Sequence, residues 1–265
     1  MLRFELTTQL LRLRTLVALG VLAAVPVAAG LSFASSAGHR NGDEGGLFGA
    51  SPYSALNHAM ASLQFINPLL LPIVVALLAA TIASADRDWG VLRYLYVAPV
   101  TRTRLLGAKL AATAVATGIA VLSVPLAGLA VGTVLFGWHP FHVIGAADLT
   151  TGGTVLRVLA ATGYTLLCML AMAAIAFTLG LLLPRGAEAL AVAIGFVVLA
   201  SVLNGQDRPH AVAAVLPVHY WQSWVGLFEP PGATGLGLGV LVQAATVALC
   251  VAASWAVLRR RDPAA

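Results

Sequence analysis

The sequence predicts an all-α integral membrane protein with six transmembrane helices in a single domain over residues 1–265. Only 9% of its residues are charged and 60% are hydrophobic, whereas about a quarter of the residues in soluble domains are charged. Six stretches also stay apolar over roughly the 20 residues that a membrane-crossing helix needs. These stretches are about 15–34, 60–84, 110–136, 157–183, 187–204 and 234–258. A soluble enzyme is therefore excluded.

Residues 1–14 are predicted to form a short amphipathic helix on the inner membrane surface. Four leucines fall on one helical face and four charged residues lie off it. The leucines are Leu2, Leu6, Leu10 and Leu13, and the charged residues are Arg3, Glu5, Arg12 and Arg14. A frayed basic segment is the alternative. The apolar stretch that follows exceeds the length of a signal-peptide core, so an uncleaved first span is preferred.

The basic residues fix the predicted orientation. With a cytoplasmic N-terminus, twelve of the fifteen lysines and arginines lie on the inner side, and only Arg40, Arg157 and Arg208 lie outside. This bias follows the positive-inside rule. Both termini are expected in the cytoplasm and the chain in the cytoplasmic membrane, in contact with lipid. Because the basic residues alternate with apolar runs instead of forming a patch, no nucleic-acid partner is expected.

The stretch between the fifth and sixth spans is ambiguous in length. Residues 211–228 are nearly long enough to cross a membrane, but they contain Pro217 and His219 and are rich in the aromatic residues that favour the membrane interface. We expect residues 208–230 to form an external element of one or two re-entrant or interfacial helices.

Apart from Arg157 and Glu188 at their edges, the predicted spans lack Asp, Glu, Lys, Arg and His, which weighs against a proton-driven transporter. Six milder polar residues do occur at membrane depth: Gln64, Asn67, Thr113, Thr117, Gln243 and Thr246. Such residues either join helices through hydrogen bonds or line the path of a transported substrate. The sequence alone leaves both interpretations open.

No catalytic or cofactor motif is visible in the chain. The six histidines, His39, His58, His139, His142, His210 and His219, fall at or beyond the predicted outer boundary. His139 and His142 could bind a metal together with Asp148, and the outer histidines could serve a membrane enzyme, but ordinary solvated histidines are favoured. The zinc-protease, nucleophile-elbow and phosphate-loop motifs are absent. We therefore expect no catalytic residue, metal ligand or bound cofactor in this chain, and any ATP must bind another subunit.

The inner loop at residues 85–109 carries the largest basic cluster. Its sequence is ADRDWGVLRYLYVAPVTRTRLLGAK. The short apolar run 91–97 ends at Pro99, and Thr101 can cap a new helix that runs through Lys109 into the third span. The loop is thus predicted to form a helix, a turn and a helix at the inner surface. A loop that only sets topology would carry similar charge.

The residue order of this loop resembles the signature of the type-2 permeases of ATP-binding-cassette exporters. The matching residues are Asp86, Asp88, Gly90, Leu92, Pro99, Val100, Thr101, Arg102, Gly107 and Lys109. Two departures are aspartate where glutamate is commoner and Val91 in place of threonine. Six spans, a preceding amphipathic helix and an external re-entrant element are also features of that family.

The resemblance implies an exporter subunit that pairs with a second permease and with a nucleotide-binding ATPase holding ATP and Mg²⁺. The inner loop would then couple to the ATPase, and Arg102, Arg104 and Lys109 would contact anionic headgroups. The coupling residues would be Asp86, Arg87, Asp88, Gly90, Leu92, Arg93, Pro99, Arg102, Arg104 and Lys109. A second cytoplasmic contact at Arg185 and Glu188 is possible, with simple helix punctuation as the alternative.

Apolar spans suit a hydrophobic or amphipathic substrate such as a drug, an antibiotic or a lipid-like compound. The alternatives are a facilitator that does not use ATP, and an integral-membrane enzyme or metal-handling protein that uses the outer histidines.

Overall fold

The computed structural model describes residues 2–35, 46–88, 102–143, 149, 151–204, 214–229, 232 and 234–260. Within these ranges the fold is built from α-helices, with one isolated β-bridge between Phe141 and Leu149. The helices are α1 (Leu2–Leu10), α2 (Leu13–Ser35), α3 (Gly46–Gly49), α4 (Ala55–Ile66), α5 (Leu70–Asp88), α6 (Arg102–Leu135), α7 (Thr151–Leu182), α8 (Gly186–Asn204) and α9 (Leu236–Arg260).

Five of these helices, α2, α6, α7, α8 and α9, are long and apolar enough to cross a membrane. The count rises to six if α4 and α5 together form one span. The helical fold with several spanning helices agrees with the predicted class and indicates a multi-pass membrane protein.

The predicted span 60–84 is divided in the structure. Two helices lie there, α4 and α5, and they are bent by 66° at residues 67–69. Pro68 lies in the break, where its ring and its missing N–H end α4, whereas Pro72 lies in the first turn of α5 and leaves no bond unmade. Helix α4 also begins at Ala55, ahead of the predicted start, because the Ser54 hydroxyl accepts a 3.2 Å hydrogen bond from the Asn57 N–H and caps the helix.

The N-terminal segment is helical, as predicted, but shorter than 14 residues. Helix α1 ends at Leu10 and packs on α6. The Thr15 hydroxyl donates a 2.8 Å hydrogen bond to the Gln9 carbonyl and bridges the break before α2. Leu13 belongs to α2 and is 78% exposed, so it does not continue the apolar face that was predicted to run through it.

Helix α7 lies at the centre, in contact with α5, α6, α8 and α9. Close packing at the periphery depends on small residues. An added Cβ on Gly132 of α6 would lie 2.7 Å from the Ala55 Cα, and one on Gly128 would lie 2.8 Å from the Ala59 Cα. Two small residues spaced four apart on each helix therefore let α4 and α6 touch backbone to backbone, as in membrane helix pairs generally.

Candidate functional site

The C-terminal part of α5 and the N-terminal part of α6 are held together by Lys109, the only lysine of the chain. Its ammonium donates a 3.0 Å hydrogen bond to the Ile82 carbonyl oxygen, and its side chain is 4% exposed. The carbonyl dipoles near the C-terminal end of α5 favour a cation there. Lys109 therefore points into the protein, contrary to the expectation that it contacts lipid headgroups.

The predicted coupling loop begins and ends at this junction. Asp86, Arg87 and Asp88 form the last turn of α5, and Arg102 is the first residue of α6. The helix from Arg102 through Lys109 into the third span is as predicted. Arg104 is exposed. Gly90, Leu92, Arg93 and Pro99 lie outside the described residues.

The other predicted inner contact is a surface ion pair. Arg185 lies in the turn between α7 and α8, and Glu188 lies in the first turn of α8. Their charged groups are 3.7 Å apart, and the side chains are 82% and 43% exposed. An exposed pair of this kind adds little stability. The exposure leaves both side chains accessible to a partner. The same exposure is expected of a turn that only separates two helices.

The external element between α8 and α9 is buried against the helices. We expected one or two interfacial or re-entrant helices here, and its described part contains two short 3₁₀ helices, Pro217–Tyr220 and Ser223–Leu227. The side chains of Tyr220, Trp221 and Trp224 are buried. We call residues 214–229 the outer element.

Three buried side chains from different parts of the helix bundle hold the backbone of the outer element. Asn67 Nδ2 donates to the Trp221 carbonyl oxygen at 2.7 Å, and Tyr164 Oη donates to the Tyr220 carbonyl oxygen at 3.0 Å. Gln243 Nε2 donates to the Pro217 carbonyl oxygen at 2.8 Å. Gln243 lies about 10 Å along α9 from its outer end. Irregular backbone at such depth must find hydrogen-bond partners within the protein, and these three side chains supply them.

The six polar residues predicted at membrane depth therefore fall into three groups according to their hydrogen-bond partners. Asn67 and Gln243 converge on the outer element through their amide N–H groups. Thr113 and Thr246 donate to carbonyls one turn earlier in their own helices, at 2.9 and 2.8 Å. Gln64 Oε1 and Thr117 Oγ1 are buried without a hydrogen-bond partner.

Further buried polar atoms at the outer element lack hydrogen bonds. Among the described residues, no partner is found for the Asn67 and Gln243 side-chain oxygens or for the Trp221 and Trp224 indole nitrogens, and the buried Thr165 hydroxyl of α7 likewise has none. Trp224 was expected only as one of several interfacial aromatic residues, and neither Tyr164 nor Thr165 was predicted to have a role. A tyrosine or threonine inside an apolar span carries a hydroxyl that needs a hydrogen-bond partner when it is buried, and so does the indole N–H of a tryptophan next to such a span. These residue types were the available signal.

Among the histidines that the structure describes, His58 departs from the expectation of a solvated side chain. It is fully buried in α4. Its Nδ1 lies 2.8 Å from Ser51 Oγ and its Nε2 lies 3.0 Å from the Pro26 carbonyl oxygen. The close approach is possible because Gly30 has no side chain: a Cβ there would lie 3.2 Å from His58 Nε2.

The remaining histidines do not assemble a metal site in the described part of the chain. His139 and His219 are exposed, and His142 is half-buried. His39, His210 and Asp148 lie outside the described residues. Among the residues that the structure describes, no three His, Cys, Asp or Glu side chains come close enough to hold a metal ion.

Comparison with known proteins identifies a family but no activity. No curated protein matches the sequence. Residues 30–264 match the family described as "Protein of unknown function (DUF2705)". Because this match covers most of the chain, the protein belongs to the DUF2705 family.

Proposed function

We propose that this protein is the membrane-spanning permease subunit of an ATP-driven exporter of the ATP-binding-cassette class. It moves a hydrophobic or amphipathic substrate, such as a drug, an antibiotic or a lipid-like compound, across the cytoplasmic membrane. A separate subunit binds and hydrolyses ATP with Mg²⁺. The observation that carries the proposal is the charged loop 85–109, whose residue order resembles the coupling segment of these permeases and whose two ends meet at Lys109.

The Lys109 junction supports a coupling role for the loop. Because the ammonium ties the Ile82 carbonyl to the start of α6, a force on the loop displaces α5 and α6 together. Helix α5 also contacts α7 and α8, so its movement reaches the centre of the bundle. Pulling the ammonium away from the Ile82 carbonyl while it stays buried is costly, which keeps the two helix ends joined during such a movement.

The proposed orientation places both termini in the cytoplasm. The Arg259 guanidinium lies 3.4 Å from the Trp255 ring centroid near the end of α9. An aromatic ring and a basic residue at one end of an apolar helix are typical of a membrane interface. Together with the excess of basic residues on the proposed inner side, this pair supports a cytoplasmic C-terminus.

Exposed apolar faces support the proposed pairing with a second permease. In the most apolar part of α9 only 11% of the residues are buried within the chain, and in α2 and α8 the share is 22%. Lipid or a second permease, either identical or related, covers these faces in the assembled transporter. An apolar, uncharged surface also suits the proposed substrate class.

Isolation of the complex tests the proposal. The full-length protein is purified from its native membrane in mild detergent, and we expect an ATPase subunit with a phosphate loop to accompany it. The double variant Asp86→Asn/Asp88→Asn should lose this subunit or its substrate-stimulated ATPase activity. The matched control is Asp43→Asn/Glu44→Gln, an acidic pair in the predicted external loop, which should retain both.

Two results would overturn the proposal. One is the absence of any co-purifying ATPase together with transport by the Asp86→Asn/Asp88→Asn variant. The other is substrate uptake into vesicles that contain this chain without nucleotide or partner, which would identify a facilitator. Loss of activity on combined replacement of His139, His142, His210 and His219, with coupling intact, would instead favour an enzyme or metal-handling protein.

A further inference from the structure

A cavity of about 240 Å³ lies where three outer segments meet. Its walls come from residues 46–50, 141–143 and 228–229. It is separate from the inner junction and from the predicted substrate path. The residues that line it provide aromatic and aliphatic surface, one imidazole and one carboxylate, that of Glu229.

The Glu229 carboxylate is fixed in place by one of its oxygens. Glu229 Oε1 accepts a 2.8 Å hydrogen bond from the Leu47 backbone N–H. The Glu229 carboxylate has no other polar contact and no basic partner in the described ranges. The nearby Arg157 donates instead to the Leu227 carbonyl oxygen at 2.7 Å. The second carboxylate oxygen and most of the negative charge therefore remain available to a ligand.

The opposite wall is aromatic and rigid. The Phe141 and Phe228 rings pack with centroids 4.8 Å apart, and both side chains are almost fully buried. The Asn57 amide fixes the backbone of His142 at two points, since its Nδ2 donates to the carbonyl oxygen at 2.8 Å and its Oδ1 accepts from the N–H at 3.0 Å. The wall is thus formed before any ligand arrives.

We propose that this cavity binds an alkylammonium group. An ammonium N–H donates to the second oxygen of Glu229, and the cation lies within about 6 Å of an aromatic face, where the ring quadrupole attracts it. An anion would be repelled by the carboxylate, and a neutral solute would leave the charge uncompensated. The same chemistry belongs to a small free amine and to the ammonium headgroup of a lipid in the outer leaflet.

The test uses the full-length protein in maltoside detergent with ethanolamine, which is cationic at neutral pH, as the free probe. Binding is followed by saturation-transfer NMR, with ethylene glycol as the uncharged control of similar size. The decisive variant is Glu229→Gln, because its amide oxygen can still accept from the Leu47 N–H while the charge is lost. We expect binding to weaken at least about tenfold while the melting temperature stays within a few degrees. Glu229→Ala, which removes both functions, should also lower the melting temperature.

A second arm distinguishes the source of the ammonium group. The wild type and Glu229→Gln are melted in mixed micelles containing phosphatidylethanolamine or phosphatidylglycerol. Stabilisation by phosphatidylethanolamine that Glu229→Gln abolishes assigns the site to a lipid headgroup, and Glu229-dependent binding of ethanolamine alone assigns it to a free amine. The proposal is overturned if neither probe distinguishes Glu229→Gln from the wild type, or if ethylene glycol binds as well as ethanolamine.

Discussion

The side-chain amide of Asn67 donates a 2.7 Å hydrogen bond to the carbonyl oxygen of Trp221, 154 residues away in sequence. This bond joins the break between α4 and α5 to the outer element. It also explains why a polar residue lies at a helix break in an apolar segment: the irregular backbone that it contacts has no water to bond with at that depth.

Replacing Asn67 with leucine should therefore destabilise the protein. The change leaves the buried Trp221 carbonyl without its donor, at a cost of about 1–3 kcal/mol, and should lower the melting temperature in detergent. Gln64→Met is the control, because Gln64 Oε1 has no partner to lose, and it should be neutral or slightly stabilising. Equal melting temperatures for Asn67→Leu and the wild type would show that the bond does not hold the outer element.

The packing of α4 against α6 predicts a strong effect at Gly132. A Cβ at this position would lie 2.7 Å from the Ala55 Cα, and backbone cannot move aside as a flexible side chain can. We expect Gly132→Ala to cost about 1–3 kcal/mol through overpacking.

Gly118 in the same helix provides the control for this prediction. A Cβ there would have no neighbour within 4 Å, so Gly118→Ala should be neutral or stabilising. The comparison is made by thermal unfolding in detergent. Because alanine has the higher helix propensity, a loss at Gly132 must come from the contact with α4, and equal melting temperatures for the two variants would contradict that contact.

His58 is expected to be a structural residue. Replacing it with alanine removes two buried hydrogen bonds and leaves a cavity against the edge of the Phe136 ring, whose centroid lies 5.3 Å away. We expect a loss of about 2–4 kcal/mol. The exposed His219 is the control, and His219→Ala should change stability by less than about 0.5 kcal/mol. Similar effects of the two changes would contradict the buried placement of His58.

These residues also show which features of the fold can be predicted from the sequence. Length and absence of charge predicted the apolar helices α2 and α6 to α9, since both properties are local. The break at Asn67 could not be predicted with confidence because membrane helices often tolerate proline. The buried position of His58 depends on Gly30 and on the Pro26 carbonyl in another helix, and uniformly apolar helices carry no periodic signal to reveal such a contact.

The candidate sites were predictable to different degrees. The loop 85–109 stood out through its charge and residue order, but the inward direction of Lys109 depends on how α5 packs against α6. The Glu229 cavity is formed by three segments that are far apart in sequence, and no motif marks any of them. Convergence of this kind is a property of the fold and not of any local pattern.

Lys109 gives a prediction about coupling under the proposed function. Lys109→Met preserves most of the aliphatic length while removing the buried ammonium that bonds Ile82, so the fold should survive but the two helix ends should no longer move together. We expect substrate-stimulated ATPase activity of the purified complex to fall about tenfold or more, with a melting temperature within a few degrees of the wild type. The conservative Lys109→Arg should restore part of the activity.

The control for Lys109 is Ser123→Ala on α6. The Ser123 hydroxyl donates to the Ala120 carbonyl of its own helix at 2.8 Å, so both ATPase activity and stability should change little. Lys109→Met with full coupling would show that the junction is not used in transmission. A large loss of melting temperature would instead assign Lys109 to stability alone.

The buried indoles of the outer element give the last prediction. Trp224 is fully buried and its Nε1–H has no hydrogen-bond acceptor among the described residues. An unsatisfied buried donor costs about 1–3 kcal/mol, whereas phenylalanine keeps most of the ring contacts, including that with Phe228 at 6.2 Å. The stability gained by removing the unpaired donor is offset by the smaller volume of phenylalanine, so Trp224→Phe should be neutral or stabilising by up to about 1 kcal/mol.

Trp255→Phe is the matched control: it weakens the contact with Arg259 and should cost about 0.5–1 kcal/mol. Thermal unfolding of both variants checks the sign, and a clear loss of stability in Trp224→Phe would mean that the indole N–H has a bonding partner, such as a buried water, in the folded protein.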